Sequence, residues 1–409
     1  MHGSKTATNL DPLKAVLKAR QLEALLTRIQ REGFIVVGPT NRSDAIDYAV
    51  IQSAGDLPYG WTEQHSPGSC RLVPSDAREA FRHSVGPTPW KRFLLPDNCV
   101  YWRATRTDAG LTIDCPPSAS EKIAFWGIRS CDLHALGALD RLFLGGSTPH
   151  PTDALLGSEG APPDPIYKRH REALLIVAFH CGWPSQSCFC TSMGTGPRAT
   201  DGFDLAFLEL AFEDEILYVA ETGSERGERL LSGLGAEAPS ALVIQAAEEA
   251  HARAARAVQR SLETDQLKDL LYRRLDDPRW QATAKRCFTC GNCTLVCPTC
   301  FCSTFLDSTD LSGREAERRR RWDSCFSIEF SYLHGGGSVR TSPASRYRHW
   351  LMHKLATWWD QFGISGCVGC GRCITWCPAG IDITEEARAL RESTRRQAPD
   401  SEEACHAPV

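Results

Sequence analysis

The sequence predicts an α+β fold, with an N-terminal mixed α/β domain at residues 1–262 followed by a mostly helical domain at residues 263–409. Short apolar runs bounded by glycine and proline alternate with stretches of helical spacing in the first half of the chain. Residues 239–285 are rich in Ala, Glu, Arg and Leu and carry no strand pattern. We therefore expect helices to lead from the first domain into the second.

The strand and helix patterns of the N-terminal domain follow one another in order. Leu13 to Arg31 repeats apolar residues at helical spacing, and FIVVGP (Phe34–Pro39) is typical of a buried strand stopped by Gly-Pro. KIAFWGIR (Lys122–Arg129) predicts a second buried strand, and helical spacing follows over Cys131–Leu144. ALLIVAFH (Ala173–His180) predicts a third strand. The runs FDLAFLEL and ILYVAE then predict a hairpin.

The C-terminal domain contains one strong helical pattern, RYRHWLMHKLATWWDQFG (Arg346–Gly363), inside a long insert at residues 298–366. An insert of this length favours a helical domain over a small β-rich one. After Asp382 the chain is polar and charged, so we expect a mobile tail in which Cys405 has no role.

Two identical cysteine runs lie on either side of this insert. Cys287, Cys290, Cys293 and Cys297 precede Pro298, and Cys367, Cys370, Cys373 and Cys377 precede Pro378. This C-x2-C-x2-C-x3-C-P run is the one that bacterial two-cluster ferredoxins use to bind a pair of 4Fe-4S clusters, with the fourth cysteine of each run on the other cluster. We expect one cluster on Cys287, Cys290, Cys293 and Cys377, and the other on Cys367, Cys370, Cys373 and Cys297. Zinc knuckles are the alternative, but they use paired C-x2-4-C spacing or histidine.

Four further cysteines follow predicted buried strands of the N-terminal domain. Cys131 begins a helix after one strand, and Cys181, Cys188 and Cys190 follow the next strand. Ligands bind at the carboxyl edge of such sheets, and a helix N-terminus favours a thiolate. We predict a third 4Fe-4S cluster on these four residues. A zinc site, a redox-active dithiol and four metal-free buried thiols are the competing hypotheses.

Composition excludes several classes of function. A net charge of -4 gives no electrostatic reason to expect a nucleic-acid partner, and we interpret the arginine run Arg318–Arg321 as a solvated helix face. The sequence shows neither a signal peptide nor a membrane-spanning apolar stretch, so we expect a cytoplasmic protein without a membrane partner. The isolated Cys70, Cys99 and Cys115 are interpreted as small buried apolar residues.

The chain also lacks the sequence signatures of nucleotide sites and of common hydrolases. It has no phosphate-binding G-x4-G-K-[ST] loop, no dinucleotide-binding G-x-G-x-x-G between a strand and a helix, no H-E-x-x-H and no nucleophile elbow. The cysteine patterns of a NiFe active site are also missing. We therefore expect no catalytic residues in this chain.

Several motifs together resemble the beta, iron-sulfur subunit of NAD(P)-linked NiFe hydrogenases, the sulfhydrogenases, a family shared with an iron-sulfur component of anaerobic sulfite reductase. The motifs are SPGSCRL, WKRFLLP, GIRSCDLHAL, CFCTSMGTGP, CGNCTLVCPTCFC, RRWDSC and CVGCGRCITWCP. The resemblance implies a ferredoxin-like dicluster domain. It also implies a non-catalytic electron-transfer subunit in a hetero-oligomer, between a flavoprotein subunit that binds FAD and NAD(P)H and a NiFe hydrogenase subunit.

Two alternatives stay open. The terminal catalyst could instead be an anaerobic sulfite reductase or a sulfur or polysulfide reductase. The chain could also itself reduce a disulfide or polysulfide at its extra cysteines Cys300, Cys302 and Cys325, for which the simpler interpretation is packing and tuning near the clusters.

Overall fold

The computed structural model describes residues 15–42, 44–115, 121–145, 162–330 and 332–397. Helices make up 34% and strands 26% of the structure, which confirms the α+β class. The division of the chain at residue 262 stays a prediction, and Cys405 lies outside the described residues. Within these residues, no helix combines the length and the apolar character that crossing a membrane requires.

The strands, in chain order, are β1 (Ala15–Lys18), β2 (Ile35–Arg42), β3 (Ala45–Val50), β4 (Trp61–Ser66), β5 (Ser69–Pro74), β6 (Cys99–Thr107), β7 (Gly110–Asp114), β8 (Ile123–Ile128), β9 (Leu175–Phe179), β10 (Leu205–Phe212), β11 (Glu215–Thr222), β12 (Ser303–Thr309), β13 (Glu315–Trp322), β14 (Tyr332–Leu333) and β15 (Gly337–Ser338).

The α-helices are α1 (Ala19–Arg31), α2 (Ser130–Phe143), α3 (Pro165–Glu172), α4 (Glu225–Leu231), α5 (Ala241–Ala257), α6 (Leu267–Arg273), α7 (Arg279–Ala284), α8 (Asn292–Leu295), α9 (Pro343–Met352), α10 (Trp358–Phe362), α11 (Arg372–Thr375) and α12 (Ile383–Gln397). Short 3-10 turns occur at Ala54–Asp56, Trp90–Phe93 and Cys190–Met193, and a π-helical turn at His353–Thr357 joins α9 to α10.

A seven-stranded mixed sheet has the order β1-β11-β10-β9-β8-β2-β3. Four of its five inner strands, β10, β9, β8 and β2, run parallel, and the predicted β10–β11 hairpin is confirmed. The helix predicted from Leu13 starts only at Ala19, because Ala15–Lys18 pairs with β11 as an edge strand. β8 and β9 are neighbours, so their carboxyl ends lie at one edge of the sheet.

The two faces of this sheet are covered by different helices. In β9, Leu175 and Val177 belong to the core under α1, whereas Ile176 and Ala178 belong to the core under α2. This alternation is the period-two pattern of a strand buried on both faces. The packed helix α2 is thereby held with its first turn at the carboxyl edge of β8.

A second sheet has the order β12-β13-β6-β7 and joins the insert to the N-terminal part of the chain. The insert is therefore not wholly helical. The arginine run lies on β13, so its interpretation as a helix face was wrong: Arg318 pairs with Asp307 at 2.7 Å in solvent, whereas Arg320 is buried and donates to Asp164 at 2.9 Å. Cross-strand pairing with β6 and β12 outweighs the helical propensity of arginine here.

The helices around the two cysteine runs share one apolar core. It includes Leu271 of α6, Trp350 and Leu351 of α9 and Leu390 of α12. The helix predicted over Arg346–Gly363 is confirmed as α9, the π-helical turn and α10. The mobile tail predicted after Asp382 was wrong as far as residue 397, because α12 is anchored by its buried Glu386, which accepts from Arg279 at 2.6 Å and Arg286 at 2.8 Å.

Candidate metal centres

The two cysteine runs fold into matching loops. Thr289 and Gly369 both have positive φ, at 52° and 66°, and in each loop their N–H donates to the preceding cysteine Sγ at 3.4 Å. Gly291 and Gly371, both at φ 77°, then begin the one-turn helices α8 and α11. Each loop thereby presents three thiols and backbone N–H groups toward one place, as a cluster ligand loop requires.

The first thiol set comprises Cys287, Cys290, Cys293 and Cys377. Burial raises the pKa of Cys293 well above the usual thiol range, and the neighbouring Cys287, Cys377 and Cys290 thiols raise it further. Cys377 Sγ also accepts a hydrogen bond from Ile381 N at 3.4 Å. The fourth cysteine of the second run thus lies among three cysteines of the first run.

The second thiol set comprises Cys367, Cys370, Cys373 and Cys297. Burial raises the pKa of Cys373 well above its usual range, with further contributions from Cys367, Cys370 and Cys297. Burial likewise raises the pKa of Cys367 to about 12, although the Gly369 N–H and Lys354 oppose the shift. Cys297 of the first run thus interacts electrostatically with all three of Cys367, Cys370 and Cys373.

The third thiol set comprises Cys131, Cys181, Cys188 and Cys190. Burial raises the pKa of Cys188 to about 12, and the Cys181 thiol contributes to the rise. Burial also raises the pKa values of Cys131 and Cys190, and the Cys190 thiol contributes to the shift at Cys131. Cys131 lies in the first turn of α2, as predicted, but burial outweighs the helix dipole there. The four cysteines thus follow β8 and β9 at the carboxyl edge of the sheet, and Cys190 interacts electrostatically with Cys131, Cys181 and Cys188.

The loop that carries Cys188 and Cys190 packs directly on the second cysteine run. Phe189 N donates to Gly369 O at 2.8 Å, and Thr195 Oγ1 donates to Val368 O at 2.6 Å. A side chain on Gly369 would meet the Phe189 carbonyl at 2.7 Å. The third and second thiol sets are therefore adjacent through backbone contact.

Buried cations surround these thiols, and the sequence motifs did not single them out. Lys354, in the π-helical turn, donates to Cys297 Sγ at 3.1 Å, to Gly366 O at 2.9 Å and to Thr299 Oγ1 at 2.5 Å. Burial alone would lower the pKa of Lys354, but interaction with Cys297 and Cys300 outweighs burial and raises that pKa well above the usual range. A lone lysine inside the apolar run LMHKLA was the available signal.

Arg129 is a second buried cation and lies beside the third set. Its guanidinium donates to the carbonyl oxygens of His180 at 2.9 Å, His83 at 2.9 Å and Phe81 at 3.0 Å. The carboxylate of Glu209 is an electrostatic neighbour, because Arg129 opposes the rise that burial causes in the pKa of Glu209. The charge of Arg129 likewise opposes the rise that burial causes in the pKa of Cys181. Buried positive charge of this kind suits an anionic group at the third set.

The residues present satisfy the chemistry of 4Fe-4S binding at each set. Burial and the neighbouring thiols raise the pKa values of Cys293, Cys367 and Cys373, whereas a hydrogen bond from Cys300 lowers the pKa of Cys297 well below the usual thiol range. Coordination to iron would stabilise all of these groups as thiolates, and the nearby ammonium and guanidinium groups would offset part of the remaining negative charge.

The extra cysteines of the insert form close pairs. A hydrogen bond from Cys325 lowers the pKa of Cys302 to about 6, and burial opposes the shift. Cys300 hydrogen-bonds Cys297 in the same way, which links it to the second set. The isolated cysteines differ: Cys70 and Cys99 are half-buried, while Cys115 is exposed, so its interpretation as a buried residue was wrong.

Comparison with known proteins bears directly on the first and second thiol sets. Residues 286–381 match the 4Fe-4S dicluster domain. The chain is 33% identical over 278 residues to sulfhydrogenase 2 subunit beta of Pyrococcus furiosus, an alignment that covers 66% of this chain and 75% of that protein. The chain belongs to the sulfhydrogenase beta subunit family. The family expected from the sequence motifs is confirmed, and membership gives the chain an iron-sulfur role in an oxidoreductase.

Proposed function

We propose that this sulfhydrogenase beta subunit homologue is a non-catalytic electron-transfer subunit. In this proposal it connects a flavoprotein subunit that binds FAD and NAD(P)H with a NiFe hydrogenase subunit in a hetero-oligomer. The observation that carries the proposal is the reciprocal exchange of Cys377 and Cys297 between the two cysteine runs. Such an exchange serves paired clusters, whereas independent zinc knuckles would each be complete within one run.

The proposed ligands are the first and second thiol sets, one 4Fe-4S cluster each. Each bound cluster would take up and release one electron without a proton. The protein supplies the geometry and the charge balance for this chemistry. The N–H groups of Thr289, Gly369 and Ile381 donate to ligand sulfur atoms, and Lys354 donates to Cys297 Sγ.

A third 4Fe-4S cluster is proposed at the third thiol set. Four convergent thiols also suit zinc, but two observations favour a cluster. The loop that carries Cys188 hydrogen-bonds the second cysteine run, with Cys188 Sγ 3.6 Å from Cys370 O. The buried Arg129 lies next to Cys181. A redox group here would exchange electrons with the second set, whereas a structural zinc would gain nothing from that contact.

The full-length chain can be used to test the third site. Cys181→Ala should lose about four iron atoms per chain relative to the parent chain, while the EPR signals of the other two clusters remain. Cys99→Ala, a half-buried cysteine outside the three sets, is the matched control and should lose none. Unchanged iron with a loss of zinc in Cys181→Ala would establish the zinc alternative instead.

The three thiol sets follow one another in space in the order third, second, first, and the first set lies at the protein surface. The third set contacts the second, and Cys293 of the first set is an electrostatic neighbour of Cys373 in the second. Cys290 is exposed, and the adjacent Phe288 is 68% exposed. We place one electron-exchange surface at Phe288 and Cys290, where a redox partner could approach the first set closely.

The relay function predicts how the isolated subunit responds to nicotinamide nucleotides. A chain with no nucleotide motif should not be reduced by NADH or NADPH alone, and should be reduced once a flavoprotein partner is added. Anaerobic stopped-flow absorbance of the flavin-free, cluster-loaded subunit measures this. Rapid bleaching by NADH or NADPH without a flavoprotein would contradict the proposal.

A second candidate function rests on Cys302 and Cys325. Their hydrogen bond and the low pKa of Cys302, about 6, are features of a reactive dithiol, and Cys293 of the first set lies next to Cys325. Such a pair would reduce a disulfide or polysulfide as Cys302 and Cys325 are themselves oxidised to a disulfide. Two electrons relayed one at a time through the first-set cluster would then return that disulfide to two thiols. Cys302→Ser would then abolish sulfide release from polysulfide without changing electron transfer to a dye. If Cys302→Ser lowers both activities equally, or changes neither, the proposed function is electron transfer alone.

A further inference from the structure

The β4–β5 hairpin carries a group of potential metal ligands apart from the three thiol sets. Its strands are joined by Pro67 and Gly68, and His65 pairs directly with Cys70 across the hairpin. Glu63 lies two residues before His65, so the strand period places both side chains on the same face. The hairpin thus presents a carboxylate, an imidazole and a thiol together.

The three side chains converge on one point. His65 Nε2 lies 3.3 Å from Glu63 Oε2 and 3.4 Å from Cys70 Sγ, and all three ligand atoms lie within 4.8 Å of one another. A catalytic relay would place the thiol and the carboxylate on opposite ring nitrogens. Here both face the same nitrogen, which has at most one proton to donate. That arrangement suits a shared cation.

The carboxylate of Glu63 is buried and incompletely satisfied. Its side chain is only 2% exposed, and its Oε2 accepts a hydrogen bond from Ser84 N at 3.3 Å. Its Oε1 is buried and, within the described part of the chain, accepts no hydrogen bond. An ionised carboxylate in such a position is costly unless a cation or further donors compensate it.

We propose that Glu63, His65 and Cys70 form a mononuclear Zn²⁺ site. Sulfur, nitrogen and oxygen donors together are a normal ligand set for this borderline-soft ion, and water can take the fourth tetrahedral position. Such an ion would offset the charge of the buried Glu63 carboxylate and would take the place at His65 Nε2 that Glu63 Oε2 and Cys70 Sγ both face. The site lies next to the turn of the hairpin, where Gly68 N donates to Ile374 O at 3.0 Å beside the Cys377 loop.

A second convergent group, His180, Glu221 and His251, differs in its hydrogen bonds. Its ligand atoms also lie within 4.8 Å of one another. However, His180 Nδ1 accepts a hydrogen bond from Ala199 N at 3.1 Å, so a neutral ring carries its proton on Nε2 and cannot ligate there. Arg198 also donates to Glu221 at 3.0 Å and balances its charge. This group therefore serves as a control.

The site is tested on the full-length, cluster-loaded chain. Elemental analysis should find about one zinc per chain, and zinc X-ray absorption should show one sulfur at about 2.3 Å with nitrogen and oxygen at about 2.0–2.1 Å. Cys70→Ser and His65→Gln should lower the affinity for added Zn²⁺ at least about tenfold with unchanged iron and sulfide. Cys70→His should retain zinc without the sulfur contribution, which separates ligation from folding.

Two control variants complete the design. His251→Gln and Cys99→Ser should keep the parent zinc content. Zinc with four sulfur neighbours would assign the ion to a cysteine set and overturn the proposal. Zinc binding unchanged in Cys70→Ser and in His65→Gln, or a parent chain that takes up no Zn²⁺, would overturn it equally. None of these outcomes depends on the electron-transfer proposal.

Discussion

Arg372 and Asp132 form a bidentate ion pair that solvent does not reach. Nη1 and Nη2 of the arginine lie 2.8 Å and 2.9 Å from the two carboxylate oxygens, and the side chains are 0% and 1% exposed. Arg372 stands between Cys370 and Cys373, and Asp132 follows Cys131. One interaction therefore joins the second cysteine run to the third thiol set.

The first prediction concerns this pair. Asp132→Asn leaves a buried guanidinium without a charged partner and should lower the free energy of unfolding by about 3–5 kcal/mol. Anaerobic urea denaturation followed by circular dichroism measures the loss. Asp307→Asn is the control because it removes an equally bidentate but exposed pair with Arg318, and its effect should be small. Similar losses in both variants would show that the burial of the pair has no special role.

The second prediction concerns the exchanged cysteines. Cys377→Ala should remove or alter the cluster proposed on Cys287, Cys290 and Cys293, because Cys377 lies among those thiols. Cys297→Ala should affect the cluster proposed on Cys367, Cys370 and Cys373 instead. EPR of the reduced variants distinguishes the two signals. Damage from Cys377→Ala that is confined to the second set would contradict the assignment.

Sequence alone predicted the parts of this molecule that depend on local pattern. The apolar runs at Lys122–Arg129 and Ala173–His180 predicted β8 and β9, and the thiols after these strands were predicted to converge. What sequence could not predict depends on pairing between distant segments. Arg318–Arg321 forms a strand because it pairs with β6. The side chain of Arg372 can be buried because it forms an ion pair with Asp132. No local residue pattern identifies β6 or Asp132 as the partner of these residues.

The third prediction uses two glycines with the same backbone conformation. Gly369 and Gly363 have φ values of 66° and 67°, so alanine costs similar backbone strain at both, roughly 1 kcal/mol. Only at Gly369 would the new Cβ meet rigid backbone, at 2.7 Å from the Phe189 carbonyl; at Gly363 nothing lies within 4 Å. Gly369→Ala should therefore push the Phe189 loop, which carries Cys188 and Cys190 of the third set, away from the second cysteine run.

Iron analysis and reduction kinetics measure that separation. Gly369→Ala should lose iron from the third set or slow electron exchange between the sets, while Gly363→Ala should behave like the parent chain apart from its small strain. If both variants behave alike, the contact between Phe189 and Gly369 does not couple the two sets.

The fourth prediction concerns the charge of Lys354. Its ammonium lies 3.1 Å from Cys297 Sγ and is buried, so little solvent screens it. A positive charge stabilises the reduced, more negative state of a cluster bound there. Lys354→Met should therefore lower the midpoint potential of the second-set cluster on the order of 50 mV or more, since 59 mV corresponds to a tenfold change in a one-electron equilibrium.

Potentiometric EPR titration distinguishes this electrostatic effect from a loss of packing. Methionine keeps most of the length and apolar volume of the lysine side chain, so the EPR line shape and iron content should stay close to those of the parent chain. Lys268→Met removes an exposed lysine that pairs with Asp360, and it should leave the potential unchanged because solvent screens that charge. An unchanged midpoint potential in Lys354→Met would mean that groups other than Cys297 Sγ balance the positive charge of the buried ammonium. The main role of Lys354 would then be structural, because its hydrogen bonds to Thr299 Oγ1 and Gly366 O connect the insert with the second cysteine run.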